Sequence, residues 1–157
     1  MQRRDLLKFA GASAALIGLP SVGLANQAWS VDPFSLGIAS GSPTSNSLVL
    51  WTRLGAPALE AAGLTTKPVT VTWQLAYDEQ FSRIAATGVV QATAALGHSV
   101  HAEVAGLEPG RAYFYRFIAG AATSTTGRTR TFPAPDADVK RLQIGRASCR
   151  ERVSSPV

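Results

Sequence analysis

Side chains able to act as nucleophiles, acid–base groups or metal ligands are sparse in this 157-residue chain. It has two histidines, His98 and His101, and a single cysteine, Cys149. On a strand, residues at i and i+3 point to opposite faces, so the two imidazoles cannot chelate one ion together. No Asp or Glu cluster completes a site with either, and both read as exposed strand positions. Ser40, Ser42 and Ser45 have no histidine placed to activate them and read as turn residues. A thiolate at Cys149 needs a carboxylate-rich partner set, and Arg150, Glu151 and Arg152 follow it instead. Arg111, Arg116, Arg128 and Arg130 are the one group suited to phosphate. Their spacing favours solvated strand faces and cross-strand pairs with Glu103 or Glu108. No catalytic set and no cofactor site emerges.

The elements that would carry these residues are strands. Val69, Val71, Trp73, Leu75 and Tyr77 alternate with Thr70, Thr72, Gln74 and Ala76, the period-two pattern of a half-buried strand. Phe34, Leu36 and Ile38 alternate with small residues and predict an opening strand. A turn at 40–47 follows, rich in Gly, Pro, Asn and Ser. In the next strand Leu48, Leu50 and Thr52 take one face, and Val49, Trp51 and Arg53 the other. A loop at 55–68 has room for a short helix. Strands are also predicted over 83–94, with a bulge or bend at Gly88, over 98–104, over 112–118 and over 128–132. Trp51, Trp73, Leu107 and Tyr113 are the expected core anchors. About seven strands with regular turn signals and almost no amphipathic helix make this an all-β antiparallel sandwich.

The net charge of +5 suggests a polyanionic partner, but it sits at the ends. Residues 26–143 hold nine basic and eight acidic residues. The folding part is nearly neutral, shows no basic stripe and gives no sign of nucleic-acid binding. One cysteine excludes an internal disulfide.

Residues 1–25 read as a targeting peptide. Arg3-Arg4-Asp5-Leu6-Leu7-Lys8 fits the twin-arginine export pattern, with Leu6 where Phe is usual. An apolar run from Phe9 to Leu19 follows, too short for a membrane span. Gly23-Leu24-Ala25 is a small-x-small cleavage site. The twin-arginine machinery is therefore an expected partner, and the expected location is the periplasm or the extracellular space. Residues 26–33 read as a polar linker.

The segment Phe34-x-x-Gly-Ile-Ala-Ser-Gly-Ser-Pro43 followed by Leu50-Trp-Thr-Arg-Leu54 resembles the opening of the N-terminal domain of PhoD-type alkaline phosphatases and phosphodiesterases. Leu107-x-Pro-Gly-x-x-Tyr113-x-Tyr115 is similar to the tyrosine corner of fibronectin type III domains. The resemblance covers residues 34–135. It implies a fibronectin-like β domain preceding a metal-dependent phosphatase domain, absent here, that uses calcium and iron. The family's usual loop is Ser-Gly-Asp-Pro, and this chain has Ser42 in place of the Asp.

Residues 136–143 would begin the connection to that domain. In the family an apolar strand leads into Ala-Ser-Cys, whose Cys ligates metal, which would give Cys149 that role if the tail is native. The competing reading of residues 144–157 is an artefactual tail, because Ile144 to Val153 is similar to one frame of a widely used sequencing adapter. The functional expectation is an accessory domain of an exported phosphoester hydrolase, itself inactive. The alternative is a stand-alone exported fibronectin-like binding module.

Overall fold

The computed structural model describes residues 27–139. Arg3, Arg4 and Cys149, with the signal and tail segments, lie outside them. The described chain forms two antiparallel sheets. The smaller has the order β1-β2-β5, from Ile38–Gly41, Ser47–Arg53 and Ser99–Ala105. The larger joins β3 (Val69–Ala76) to β4 (Ile84–Ala92) on one side and to β6 (Ala112–Ala119) on the other. The far edge of β6 is covered by two short pieces, β7 (Ala122–Thr123) and β8 (Gly127–Arg130). These two act as one interrupted strand, so the expected seven strands are present. The loop after β2 contains a short helix, α1 (Ala56–Ala61).

The core lies between the sheets. Leu48 and Leu50 from β2, Val100, Ala102 and Val104 from β5, and Val71 and Leu75 from β3 are buried there. Tyr113, Tyr115 and Phe117 from β6 complete it. Each fully buried aliphatic contributes about 1.5–3 kcal/mol. The alternation of β2 is fixed by its two leucines, and that parity sends Trp51 to the opposite face. Trp51 is half-buried on the outer surface beside His101, with ring centroids 6.1 Å apart, and is not a core anchor. The opening strand is also shorter than its sequence suggests. Phe34 is buried but belongs to a turn closed by a Gly37 N–H to Phe34 carbonyl bond of 2.8 Å. Leu36 at its apex is 58% exposed.

Two aromatic side chains lie over bare backbone. Trp73 pairs directly with Gly88 across β3 and β4. Its indole occupies the space where a Cβ at position 88 would stand, with ring atoms 2.5–2.8 Å from that point. Tyr115 pairs with Gly127 in the same way, and its ring and hydroxyl fill the space where that Cβ would stand. Directly opposed residues are near enough that one large ring can cover both positions only if its partner has no side chain. Gly88 therefore marks an aromatic's resting place and not the bulge that the sequence suggests. The irregularity in that pair falls at Leu75/Ala76. Trp73 ends partly buried, packed against the core from one end.

Side chains also fix the loops. The Tyr113 hydroxyl accepts the Glu108 N–H at 2.9 Å, making the tyrosine corner. Thr44 Oγ1 accepts the N–H groups of Asn46 and Ser47, at 3.2 and 2.9 Å, and closes the turn before β2. Ser42 holds a left-handed φ of 47° in that turn, a region that Asp and Asn tolerate better than most residues. The Asp78 carboxylate accepts from Ser82 and Arg83 N–H, both at 2.9 Å. These bonds, Ser82 first, lower the Asp78 pKa. They bracket Phe81, a buried residue at φ 58° whose ring lies 4.0 Å under the Arg116 guanidinium.

The segment before the first strand is not a free linker. Trp29 Nε1 donates to the Ala119 carbonyl at 2.8 Å, the Ala121 N–H donates to Gln27, and Pro33 is fully buried.

Two stability outcomes follow from these contacts. Gly88→Ala should destabilise by about 1–3 kcal/mol, because the new methyl displaces the indole. The penalty should shrink in a Trp73→Ala background, where the space is vacant. Urea unfolding of the single and double variants measures the coupling, and additive effects would refute the contact. Tyr113→Phe leaves the Glu108 N–H without its acceptor and should cost about 1–3 kcal/mol. Burial raises the pKa of Tyr113, and that of Tyr115 too. Their stabilisation is complete below the unfolded tyrosine value of about 10 and is lost as pH rises through the folded values. Tyr113→Phe should therefore also soften the alkaline loss of stability, read from unfolding midpoints across that range.

Candidate functional site

The histidines sit in unlike settings. His101 is exposed on the outer face of β5. His98 precedes the strand in a left-handed conformation, φ 54°, and is 4% exposed. Its Nε2 donates to the Lys67 carbonyl at 3.0 Å, tying the loop after α1 to the loop before β5. Expected as an exposed strand position, it is a buried clamp. Left-handed Gly97 lets the chain turn inward one residue before the strand begins. No histidine stands near the serines of the β1–β2 turn with a bond that would activate them. Among the described residues, no three His, Cys, Asp or Glu side chains converge to hold a metal ion. The described residues do not fit the ion set that a metallophosphatase needs.

Beside His98 lies an open depression of about 550 Å³, lined by Ser35, Leu36, Arg53, Pro57 and Ala94 among others. Its one cation is engaged, since Arg53 Nε donates to the Gly97 carbonyl at 2.9 Å. The walls are mostly apolar, and no pair of groups there could exchange a proton with a substrate.

The arginines divide into two sets. Arg111 forms an ion pair with Glu108 and lies 4.3 Å from the Tyr77 ring centroid, which also has Arg83 at 5.3 Å. Those charges close the sandwich end at the tyrosine corner. Arg116, Arg128 and Arg130 instead point out from the larger sheet. Their parity is fixed because Tyr113, Tyr115 and Phe117 point inward on β6, and because Arg128 and Arg130 oppose Phe114 and Ala112. The expected partner Glu103 lies on the outer face of the other sheet, so no arginine of this set can reach it. The pairing of β6 with β8 thus builds a small basic face that the linear charge pattern hides. The period-two Arg128-Thr129-Arg130 spacing was its one visible sign.

A family model described as PhoD-like phosphatase, N-terminal domain, matches residues 20–133. The chain is 44% identical over 148 residues to alkaline phosphatase D of Bacillus subtilis (strain 168), covering 92% of this chain and 25% of that protein. A solved structure described as "Structure of PhoD" superposes with a TM-score of 0.66 at 47% identity, over 71% of this chain and 22% of that one. This chain therefore spans about a quarter of the length of the curated relative it matches. Sheet order, tyrosine corner and sequence identity agree: the chain belongs to the PhoD-like phosphatase N-terminal domain family, as a fibronectin-like β-sandwich.

Proposed function

We propose that this chain is the accessory β domain of an exported, metal-dependent phosphoester hydrolase, and that the hydrolysis belongs to the region that follows it in the parent protein. The observation that carries this reading is the 44% identity, sustained over 148 residues, to a protein named alkaline phosphatase D. The dispersal of the described carboxylates over separate loops and strands supports it, since metal-assisted phosphoryl transfer needs ligands converging on one point.

In this reading residues 1–25 direct export through the twin-arginine machinery, by way of Arg3 and Arg4, to the periplasm or the extracellular space. The mature chain begins near Asn26, and the docking of Trp29 and Pro33 on the sandwich supports counting residues 26–33 with the domain. Residues 136–143 lead toward the phosphatase region. Calcium and iron would be held in that region, with Cys149 the single ligand this chain would supply if its tail is native. Among the described residues, no helix is long and apolar enough to cross a membrane.

The 157-residue polypeptide, supplied with calcium and iron, should release no product from a chromogenic phosphodiester above the buffer rate. A polypeptide extended into the downstream coding region should hydrolyse it. An inactive extended protein with both metals bound would overturn the phosphatase reading. Separately, Arg3→Lys with Arg4→Lys should leave uncleaved protein in the cytoplasm, seen by fractionation and immunoblotting. Normal export of that double variant would sink the twin-arginine assignment.

A further inference from the structure

The open edges of the two sheets are not alike. β1 is four residues long, and β7 and β8 are two and four. β5 carries Glu103, and β8 carries Arg128 and Arg130. Short length and charge are the usual means by which a sheet keeps its edge from pairing with another chain. β4 has neither. It is the longest strand described, nine residues, and Ile-Ala-Ala-Thr-Gly-Val-Val-Gln-Ala contains no charge and no proline.

In the described chain β4 pairs only with β3. Alternate residues of an antiparallel edge turn their N–H and C=O groups away from the neighbouring strand. A bulge guards one end of β4. Ile84 pairs with Ala76 and Ala86 with Leu75, so Ala85 is the extra residue. From Ala86 to Ala92 the ladder is regular, which leaves seven residues of open edge. Val89 stands at the middle of that run and is 61% exposed.

We infer that β4 pairs with β4 of a second copy of this chain, antiparallel, about a two-fold axis at Val89. This register uses the whole regular run. It sets Val89 against its own counterpart, Thr87 against Gln91, Gly88 against Val90 and Ala86 against Ala92. Residues of equal parity meet, so the outer row and the inner row both continue across the axis. The outer row matches valine with valine and polar with polar. On the inner face, the Trp73 indole over Gly88 gains the other copy's Val90 as a neighbour. A two-fold contact repeats every pairing, so a charge on the axis would meet its like. The absence of charge along β4 is what pairing with itself requires. Two five-stranded sheets would then form one continuous sheet. A single strand pairing is a small interface, below about 1,200 Å², so the association is reversible and concentration-dependent.

The test is sedimentation velocity of the full 157-residue chain over a range of concentrations. The parent should show a monomer–dimer equilibrium. V89K and V89E should each weaken it roughly tenfold or more, because like charges are placed directly across the axis. An equimolar mixture of the two variants should associate again, since opposite charges then meet. Val89 is exposed, so both variants should keep the parent's circular dichroism and urea midpoint. L36K replaces another exposed leucine, away from β4, and should associate as the parent does. Hydrogen exchange of the parent should slow with concentration at alternate amides of residues 86–92.

A parent that stays monomeric throughout, equal loss in L36K, or a V89K and V89E mixture that fails to associate would each overturn the inference. So would a polypeptide extended into the downstream coding region that protects the β4 amides as a monomer, which would assign the edge to that region instead.

Discussion

Three aromatic side chains on one face of one strand, Tyr113, Tyr115 and Phe117, occupy the space between the sheets, and most other features answer to them. Buried aromatics of this size dominate a core's energetics but bring polar tips that need partners. Tyr113 places its hydroxyl on the Glu108 N–H, which fixes the path of the chain into β6. Tyr115 is almost wholly buried, and that burial raises the pKa of its hydroxyl. No buried side-chain polar atom is left without a partner among the described residues. With this strand placed, β3 and β8 have one register on either side of it.

Large rings demand bare backbone nearby. The two cross-strand positions covered by Trp73 and Tyr115 are glycines, although glycine weakens a strand by itself. The loss is offset by the ring that shields the exposed peptide. A single chemical rule thus accounts for both the only glycine inside β4 and the glycine that opens β8. It also explains why the larger sheet keeps a regular ladder through Gly88 and shifts register only at Leu75/Ala76, where the chain turns toward the Asp78 loop.

The fold was largely legible because period-two alternation and turn chemistry are local signals. The strand from Val69, the tyrosine corner and the inward row of β6 all follow from residues a few positions apart. What escaped depended on partners distant in sequence. Leu48-Val49-Leu50-Trp51 is apolar on both faces, so only its packing shows that the leucines win the interior and Trp51 is turned out. His98 carries a strand-like pattern but is drawn inward by the carbonyl of Lys67, 31 residues away. The residues before Pro33 look polar, yet Trp29 finds its acceptor 90 residues later. For the candidate site the same limit applied more strongly. Arg116 and Arg128 become neighbours only through the β6–β8 register, and a count of charge along the chain averages them away.

This distribution of polar groups bears on what the domain is for. The side chains best suited to chemistry are mostly committed to holding loops: His98 to Lys67, Asp78 to Ser82 and Arg83, Glu108 to Arg111 and Arg53 to Gly97. A group already satisfied by a loop cannot also serve as base, nucleophile or ligand without releasing that loop. The described chain begins near Ala119 and Ala121, at the end of β6, where Gln27 and Trp29 bond. It leaves past Phe132, which bonds to Gly110 and Thr44 near the start of β6. Entry and exit are thus at opposite ends of an eight-residue strand, about 25 Å apart. Both sheet faces run along the length between those two ends. Of the two outer faces, only the larger sheet's carries charge of a single sign.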